Sequence, residues 1–579
     1  MRCISTTKSV FIIILAIAVL LALTTCTKKP TGADLMLING KVVTMDDNLS
    51  EAEAIAIKDG KILAVGNSAG MQAYQDEHTI IIDLDGRLAI PGFIDGHAHF
   101  MGVGKAAMRL KLQKAENWDD VIAMVESAVA SAKPGEWILG RGWHQDKWNK
   151  PPMPSIDGLP HHKTISEISP NNPVYLRHAS GHSAFANQKA MELAGIDRNT
   201  ENTIGGEIVR DRSGNPIGIF RENAMLRLDN ALQKHMDTRT PEQIENNRRK
   251  VLIKATDECL SNGITSFHDA GVSFETIEYY KKLADDDKLG VRLYVMISEN
   301  NDSLRNRLSD YKIIGAGDNH LTVRSIKRII DGALGSHGAW LLEPYDDLPS
   351  STGLNTETIE DMKETARLAI ENGFQFCTHA IGDRGNRETL DIYEEAFNSY
   401  PAKTDLRWRI EHAQHLNEKD IPRFGQLGVI AAMQGVHCTS DGPWVPSRIG
   451  DARAEEGAYV WQKLMQSGAI ISNGTDSPVE DVDPIACFYA TVTRRMNNGE
   501  QFYAQQAMSR MQALRSYTYN PAYSAFEEDI KGSLTPGKLA DITVLSRDIL
   551  TIPAEEILTT EVDYTFVGGK LMYRNRGRD

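Results

Sequence analysis

Three stretches in the second half of the chain repeat one pattern: an amphipathic helix, a glycine, and at once a short apolar strand. Residues 356–372 place Ile359, Met362, Ala366, Ala369 and Ile370 at helical spacing, Gly373 stops them, and 374–378 follows as a strand. Residues 417–427 end at Gly428 before the strand 429–433, and 458–466 precede Gly468 and the strand 469–472. Such units build parallel strands joined by crossover helices. Strands are expected near 93–97, 264–268, 291–297, 325–331, 374–379, 408–412, 429–433 and 469–473, and eight of them close a (β/α)8 TIM-like barrel. A doubly wound open sheet is the structural alternative, but no glycine-rich phosphate turn supports it. The stretch between the first two strands, about 100–255, is too long for a loop and is expected to be a large inserted subdomain over the barrel mouth.

A chain of 579 residues exceeds one barrel, and the surplus lies at the ends. Residues 34–88 alternate short apolar runs with turn signals, among them Asp59-Gly60 between two strands. Residues 530–576 carry the same signature, with Gly568-Gly569 as a turn. The expectation is a small composite β-sandwich domain from 34–88 and 530–576, flanking a barrel at 89–529.

At the N-terminus Arg2 and Lys8 precede 10–23, an uncharged run of signal-peptide length that is short for a membrane span. It ends at Leu23-Thr24-Thr25-Cys26. Residues 1–26 resemble a bacterial lipoprotein signal, in which Cys26 is lipidated and becomes the new N-terminus, with Thr25 where Gly or Ala is usual. An uncleaved anchor is the alternative. Both put the body of the protein outside the cytoplasm, on the periplasmic or cell-surface side of a bacterial membrane. The formal net charge of −15 weighs against a nucleic-acid partner. Cys259, Cys377, Cys438 and Cys487 form no regular spacing and are expected to be buried thiols rather than a disulfide framework.

The first chemical signal is His97-Ala98-His99. Strand side chains alternate, so both imidazoles point to one face and can grip one metal ion. His379, His412 and Asp476 each fall at the C-terminal end of an expected barrel strand, where barrel active sites lie. Lys327 sits inside an apolar strand, a costly place for an ammonium that is neither neutralised nor paired. Each has a dull explanation alone, as a core histidine, a capping aspartate or a snorkelling lysine. All of them at matching ends of one barrel point to a metal-dependent site.

The run Pro91-Gly92-Phe93-Ile94-Asp95-Gly96-His97-Ala98-His99 resembles the first-strand motif of the amidohydrolase superfamily. The order Lys327, His379, His412, Asp476 on strands four, five, six and eight is similar to its binuclear layout. Asp331-Gly332-Ala333-Leu334-Gly335-Ser336, His379-Ala380-Ile381-Gly382-Asp383, Arg409-Ile410-Glu411-His412-Ala413 and Asp476-Ser477-Pro478-Val479 resemble the branch that includes N-substituted formamide deformylase.

The resemblance implies that His97 and His99 bind one metal and His379 and His412 a second. A carboxylated Lys327 would bridge them, since an unmodified ammonium cannot ligate. Asp476 would contact the first metal and take a proton from the attacking water. One or two Zn2+ fit these ligands, other divalent ions being open. Arg177-His178-Ala179-Ser180-Gly181-His182 resembles the branch's substrate-side segment, which favours His182 over His178 as a catalytic donor to the oxyanion. Trp143, in a segment resembling the pocket wall, and His437, after strand seven, are expected to face substrate, with Trp148 adding apolar wall. His268 and Asp269 end strand two, and His161-His162 reads as an exposed surface pair.

The expected activity is hydrolysis of a carbon–nitrogen bond of a small molecule, such as an N-acyl or N-formyl amine, by metal-activated water. A mononuclear deaminase or cyclic-amide hydrolase is the enzymatic alternative. A non-catalytic ligand-binding lipoprotein is the alternative from another class. No G-x-S-x-G elbow supports an acyl-enzyme route. A homo-oligomer is compatible with all of this.

Overall fold

The computed structural model describes residues 32–48, 50–145, 148–178, 183–203 and 206–578. Eight parallel strands lie side by side in chain order: β1 Phe93–Ala98, β2 Ile264–Val272, β3 Arg292–Ile297, β4 Leu321–Ile329, β5 Gln375–Ala380, β6 Arg409–His412, β7 Ile430–Gln434 and β8 Ile471–Gly474. They are largely buried on both faces, as a parallel sheet wrapped in helices requires, and several, β2, β4, β6 and β8 among them, carry polar residues within the buried strand.

β8 returns to β1 and nearly closes the barrel. A Cβ on Gly474 would stand 2.3 Å from the His97 backbone nitrogen, and one on Gly96 would stand 2.5 Å from the Asn473 carbonyl oxygen, so only glycines permit this approach. Just beyond the strand ends, Asp476 N donates to His97 O at 2.8 Å and His99 N to Ser477 O at 2.9 Å.

The helix before β5 spans Ile359–Asn372, is capped by the Thr358 side chain accepting from Asp361 N, and stops at Gly373 with φ 66°. The helix expected from 458 starts only at Trp461, because Tyr459 takes a left-handed φ of 51° and separates it from a preceding helix, Asp451–Gly457. β4 begins at Leu321, four positions before its expected start of 325, since Leu321 and Val323 are core residues.

Residues from both ends build two sheets. One runs Lys61–Gly66, Ala54–Lys58, Leu35–Ile38, Ile80–Asp83; the other runs Lys570–Arg574, Val562–Val567, Ile542–Leu545, Leu88–Pro91, Lys41–Val43, Glu51–Ala52. Leu35, Ile55 and Ile62 of the first sheet share an apolar core with Val42, Ile542 and Phe566 of the second. The Asp59-Gly60 turn has φ of 49° and 74°, both positive as a tight hairpin of this kind demands. Arg292 at the start of β3 reaches Asp541 with its Nε 2.8 Å from Oδ2, both side chains buried, and ties the barrel to the C-terminal strands.

After β1 the chain leaves by helix Phe100–Ala107 and returns by helix Pro241–Ser261, which pack on each other and on the barrel. Between them a six-stranded sheet, Gly206–Arg210, Pro216–Glu222, Ser183–Ala186, Val174–His178, Ile138–Trp143, Leu110–Lys111, carries its own apolar cores. The insert's described residues do not line the cavity at the strand ends, but Gln113 and Arg141 line a neighbouring cleft with Ser477–Val482, of which Val479 and Glu480 also line the cavity.

Candidate metal centre

The C-terminal ends of the barrel strands surround a cavity of about 540 Å3 into which His97, His99, Lys327, His379, His412 and Asp476 all open. Asp476 Oδ1 lies 3.6 Å from His97 Nε2 and 3.4 Å from His99 Nε2. The His412 ring centroid is 4.7 Å from that of His97 and 4.4 Å from that of His379. The ligand atoms of His97, His99 and Asp476 all lie within 4.8 Å of one another, and so do those of His412, His437 and Asp476. Side chains separated by almost the whole barrel in sequence thus meet because every strand delivers its last residues to the same rim.

Two of these residues hold uncommon backbone conformations. His412 has φ 76° and Asp476 φ 55°. Strand alternation would send Glu411 and His412 to opposite sides, but the left-handed turn at His412 lets both face inward. Such a φ costs a non-glycine residue about 1–3 kcal/mol and persists where surrounding contacts enforce it.

Behind the rim stands a buried polar layer that the sequence patterns did not single out as functional. Glu411 binds His97 Nδ1, and Arg409 donates to both Glu411 oxygens at 2.7 and 2.8 Å and to the Gly96 carbonyl at 2.7 Å. The Arg409 guanidinium also lies 3.0 Å from His268 Nδ1, so His268 is a buried structural contact. Gln434 Oε1 lies 2.8 Å from His412 Nδ1. Asp95 accepts from Thr475 Oγ1 at 2.6 Å and from Thr475 N at 3.0 Å, fixing the turn that carries Asp476. Asp331 accepts from Trp340 N, Ile381 N and Gly382 N and joins the loops after β4 and β5. The signal available in sequence was the presence of the charged residues Arg409, Glu411 and Asp95 inside barrel strands, which are buried.

Burial drives the electrostatics. It lowers His97 to about 4, with the Lys327 charge adding to the effect, and lowers His379 to about 3, so both imidazoles are neutral at pH 7. Burial would raise Asp476, but the hydrogen bond from His99 and the neighbouring imidazoles hold it down at about 2. Burial would likewise raise Glu411, and Arg409 and His97 keep it well below the carboxylate range. Desolvation pulls Lys327 below the usual lysine range.

The Nε2 atoms of His97 and His379 are buried and have no hydrogen-bond partner. Native interiors seldom leave such atoms unsatisfied. Neutral imidazoles and an ionised carboxylate converging on one point form a donor set suited to a divalent cation.

The other expected residues fall as follows. His437 lines the cavity, its Nε2 3.7 Å from Asp476 Oδ2. Trp143 does not line it: the side chain is fully buried in the insert core, its indole N–H donating to Leu176 O at 3.0 Å, with Trp148 packed on it at 6.2 Å between centroids. The expectation of a tryptophan pocket wall is therefore corrected, since the insert consumes both rings in its own packing. His178 packs edge-on against Trp143. Asp269 accepts from Phe100 N and Tyr280 Oη, a structural role. His161 and His162 stack on each other and are half-buried rather than exposed. His182 and Cys26 lie outside the described residues.

A barrel with imidazoles and a carboxylate gathered at its strand ends defines the class of metal-dependent hydrolases. The chain belongs to the amidohydrolase family, whose pattern it matches over residues 81–573. It is 33% identical to protein LONG AFTER FAR-RED 3 of Arabidopsis thaliana, over 94% of this chain and 92% of that one. It is 26% identical to N-substituted formamide deformylase of Arthrobacter pascens, over 94% and 99%. Its fold is similar to that of an uncharacterized metal-dependent hydrolase from Pyrococcus furiosus, with a TM-score of 0.69 at 25% identity, covering 89% of this chain and all of the other.

Proposed function

We propose that this enzyme hydrolyses the carbon–nitrogen bond of a small amide, of the N-acyl or N-formyl amine type. The observation that carries the reading is the meeting of His97, His99 and Asp476 within 4.8 Å at the floor of an open cavity. Overlap with N-substituted formamide deformylase along nearly the full length of both chains adds support.

His97, His99 and Asp476 would hold one divalent cation, zinc by preference of the ligands, and His379, His412 and a carboxylated Lys327 a second. When bound, the cation supplies Lewis acidity toward a carbonyl oxygen and acidifies water. Glu411 and Gln434 keep the His97 and His412 rings in place. The ionised Asp476 carboxylate accepts a proton from water as the water oxygen adds to the carbonyl carbon. It returns the proton to the nitrogen as the carbon–nitrogen bond breaks, giving a carboxylic acid and an amine. Ile329, Leu334, Ile381 and Trp444 supply an apolar wall for the substituent on nitrogen or carbon. The carboxyls beyond the ligand set are Asp441 and Glu480, which favours neutral or cationic amides over those bearing a carboxylate.

Incubating the zinc- or manganese-loaded protein with a panel of N-formyl and N-acyl amines, esters and lactones tests this. Amine release from the amides is expected, and turnover confined to esters and lactones would defeat it. Export by the segment 1–26, with a lipid on Cys26, is part of the same proposal. Cys26→Ala is expected to move the protein from the membrane to the soluble fraction of bacterial cells expressing the full chain.

A further inference from the structure

We propose that His437 is a catalytic hydrogen-bond donor, its Nε2–H directed at the scissile carbonyl oxygen, and that Gln414 holds it in that tautomer. The inference rests on the amide-hydrolase reading above.

Three buried histidines of the centre differ in what stands behind them. The Nδ1 of His97 faces the Glu411 carboxylate, which only accepts. The Nδ1 of His412 faces Gln434 Oε1 at 2.8 Å, and that amide is oriented by its own Nε2 donating to Ala432 O at 3.4 Å. In both rings the proton sits on Nδ1, leaving an Nε2 lone pair free for a cation. His437 is the reverse case. Gln414 donates its amide N–H to His437 Nδ1 at 3.1 Å. Its Nδ1 must accept, so the ring carries a proton on Nε2.

An N–H cannot ligate, although His437 stands in the same 4.8 Å group as His412 and Asp476. It can donate. The residue is 6% exposed, lines the cavity, and its Nε2 has no hydrogen-bond partner. Such a buried donor finds its acceptor in whatever fills the cavity. Asp476 Oδ2 is 3.7 Å away, so that acceptor lies beside the proton-transferring carboxylate, where charge builds on a carbonyl oxygen as water adds. Gln414, through its bond to His437 Nδ1, acts as a positioning residue.

The test compares His437→Ala, His437→Gln and Gln414→Glu with the wild type, each loaded with zinc, by elemental metal analysis and by kcat and KM on an amide the wild type cleaves. His437→Ala is expected to keep the wild-type metal content and lose about 10²–10³-fold in kcat with KM nearly unchanged. His437→Gln, which retains a side-chain N–H, is expected to recover part of the loss. Gln414→Glu places an acceptor behind Nδ1 and turns the ring over to the other tautomer, so kcat is expected to fall while zinc is held at least as tightly. Loss of metal from His437→Ala would make His437 a ligand and overturn the inference, as would unchanged kcat in that variant. Wild-type protein that cleaves no amide defeats the functional reading instead, and the metal analysis then still decides between ligand and donor.

Discussion

Glu411 grips Nδ1 of His97 inside the barrel, where neither side chain reaches solvent. The contact fixes which nitrogen of His97 faces the cavity, and Arg409 neutralises the carboxylate that does it. Replacing Glu411 by Gln removes the charge while keeping the shape. Zinc affinity, measured by competition with a chelator, is expected to fall about 10–100-fold, the usual effect of losing a partner behind a metal-bound histidine. Unchanged affinity would mean that the His97 ring needs no such support.

Lys327 separates a two-metal from a one-metal enzyme. It is buried on β4 among the same cavity-lining residues as His379 and His412. Lys327→Ala is expected to lower bound metal from two equivalents per chain toward one and to lower kcat with it. A variant with the wild-type metal content and rate would favour the mononuclear deaminase or cyclic-amide mechanism.

Asp476 is held ionised, at about 2, in contact with His97 and His99. Asp476→Asn removes the proton acceptor with little change in volume. A loss of about 10²–10⁴ in kcat is expected, the range for a general acid–base group, with an unchanged circular dichroism spectrum. Retention of more than a tenth of the activity would exclude Asp476 from proton transfer.

The Arg292–Asp541 pair gives a prediction on stability rather than on rate. Burial would raise the Asp541 carboxyl, but the Arg292 guanidinium outweighs burial and lowers it below its ordinary 3.8. The unfolded chain therefore takes up this proton more readily than the folded one. The pair's contribution is complete above about pH 4 and is lost as pH falls from 3.8 toward the lower folded value. Asp541→Asn leaves a buried guanidinium unpaired and is expected to cost about 3–5 kcal/mol at pH 7. In denaturant titrations the gap between variant and wild type should narrow on acidification below pH 4.

The barrel was legible because helix–glycine–strand units are local: each glycine stop and each apolar run is written in adjacent residues, as at Gly373 and β5. His379, His412 and Asp476 were legible because each falls at or just past the end of a barrel strand, and Lys327 because it is an ammonium inside one. What the sequence hid depends on partners far apart in the chain. Trp143 reads as a pocket aromatic until the insert folds and packs it against Trp148 and Leu176. Glu411 reads as one more charge beside His412 until the positive φ of His412 turns both inward. The tautomer of His437 is set by Gln414, 23 positions earlier, across a gap that no local pattern encodes. The insert is joined to the barrel by two helices that pack together, Phe100–Ala107 and Pro241–Ser261, although they are separated by more than a hundred residues.

The most direct measurement is the anomalous-difference map of zinc-loaded crystals of the protein collected at the zinc edge. A peak is expected about 2.0–2.2 Å from His97 Nε2, His99 Nε2 and an Asp476 oxygen, the ordinary zinc–ligand distances. Zinc bound only at other residues, with the His97, His99 and Asp476 side chains empty-handed, would contradict it.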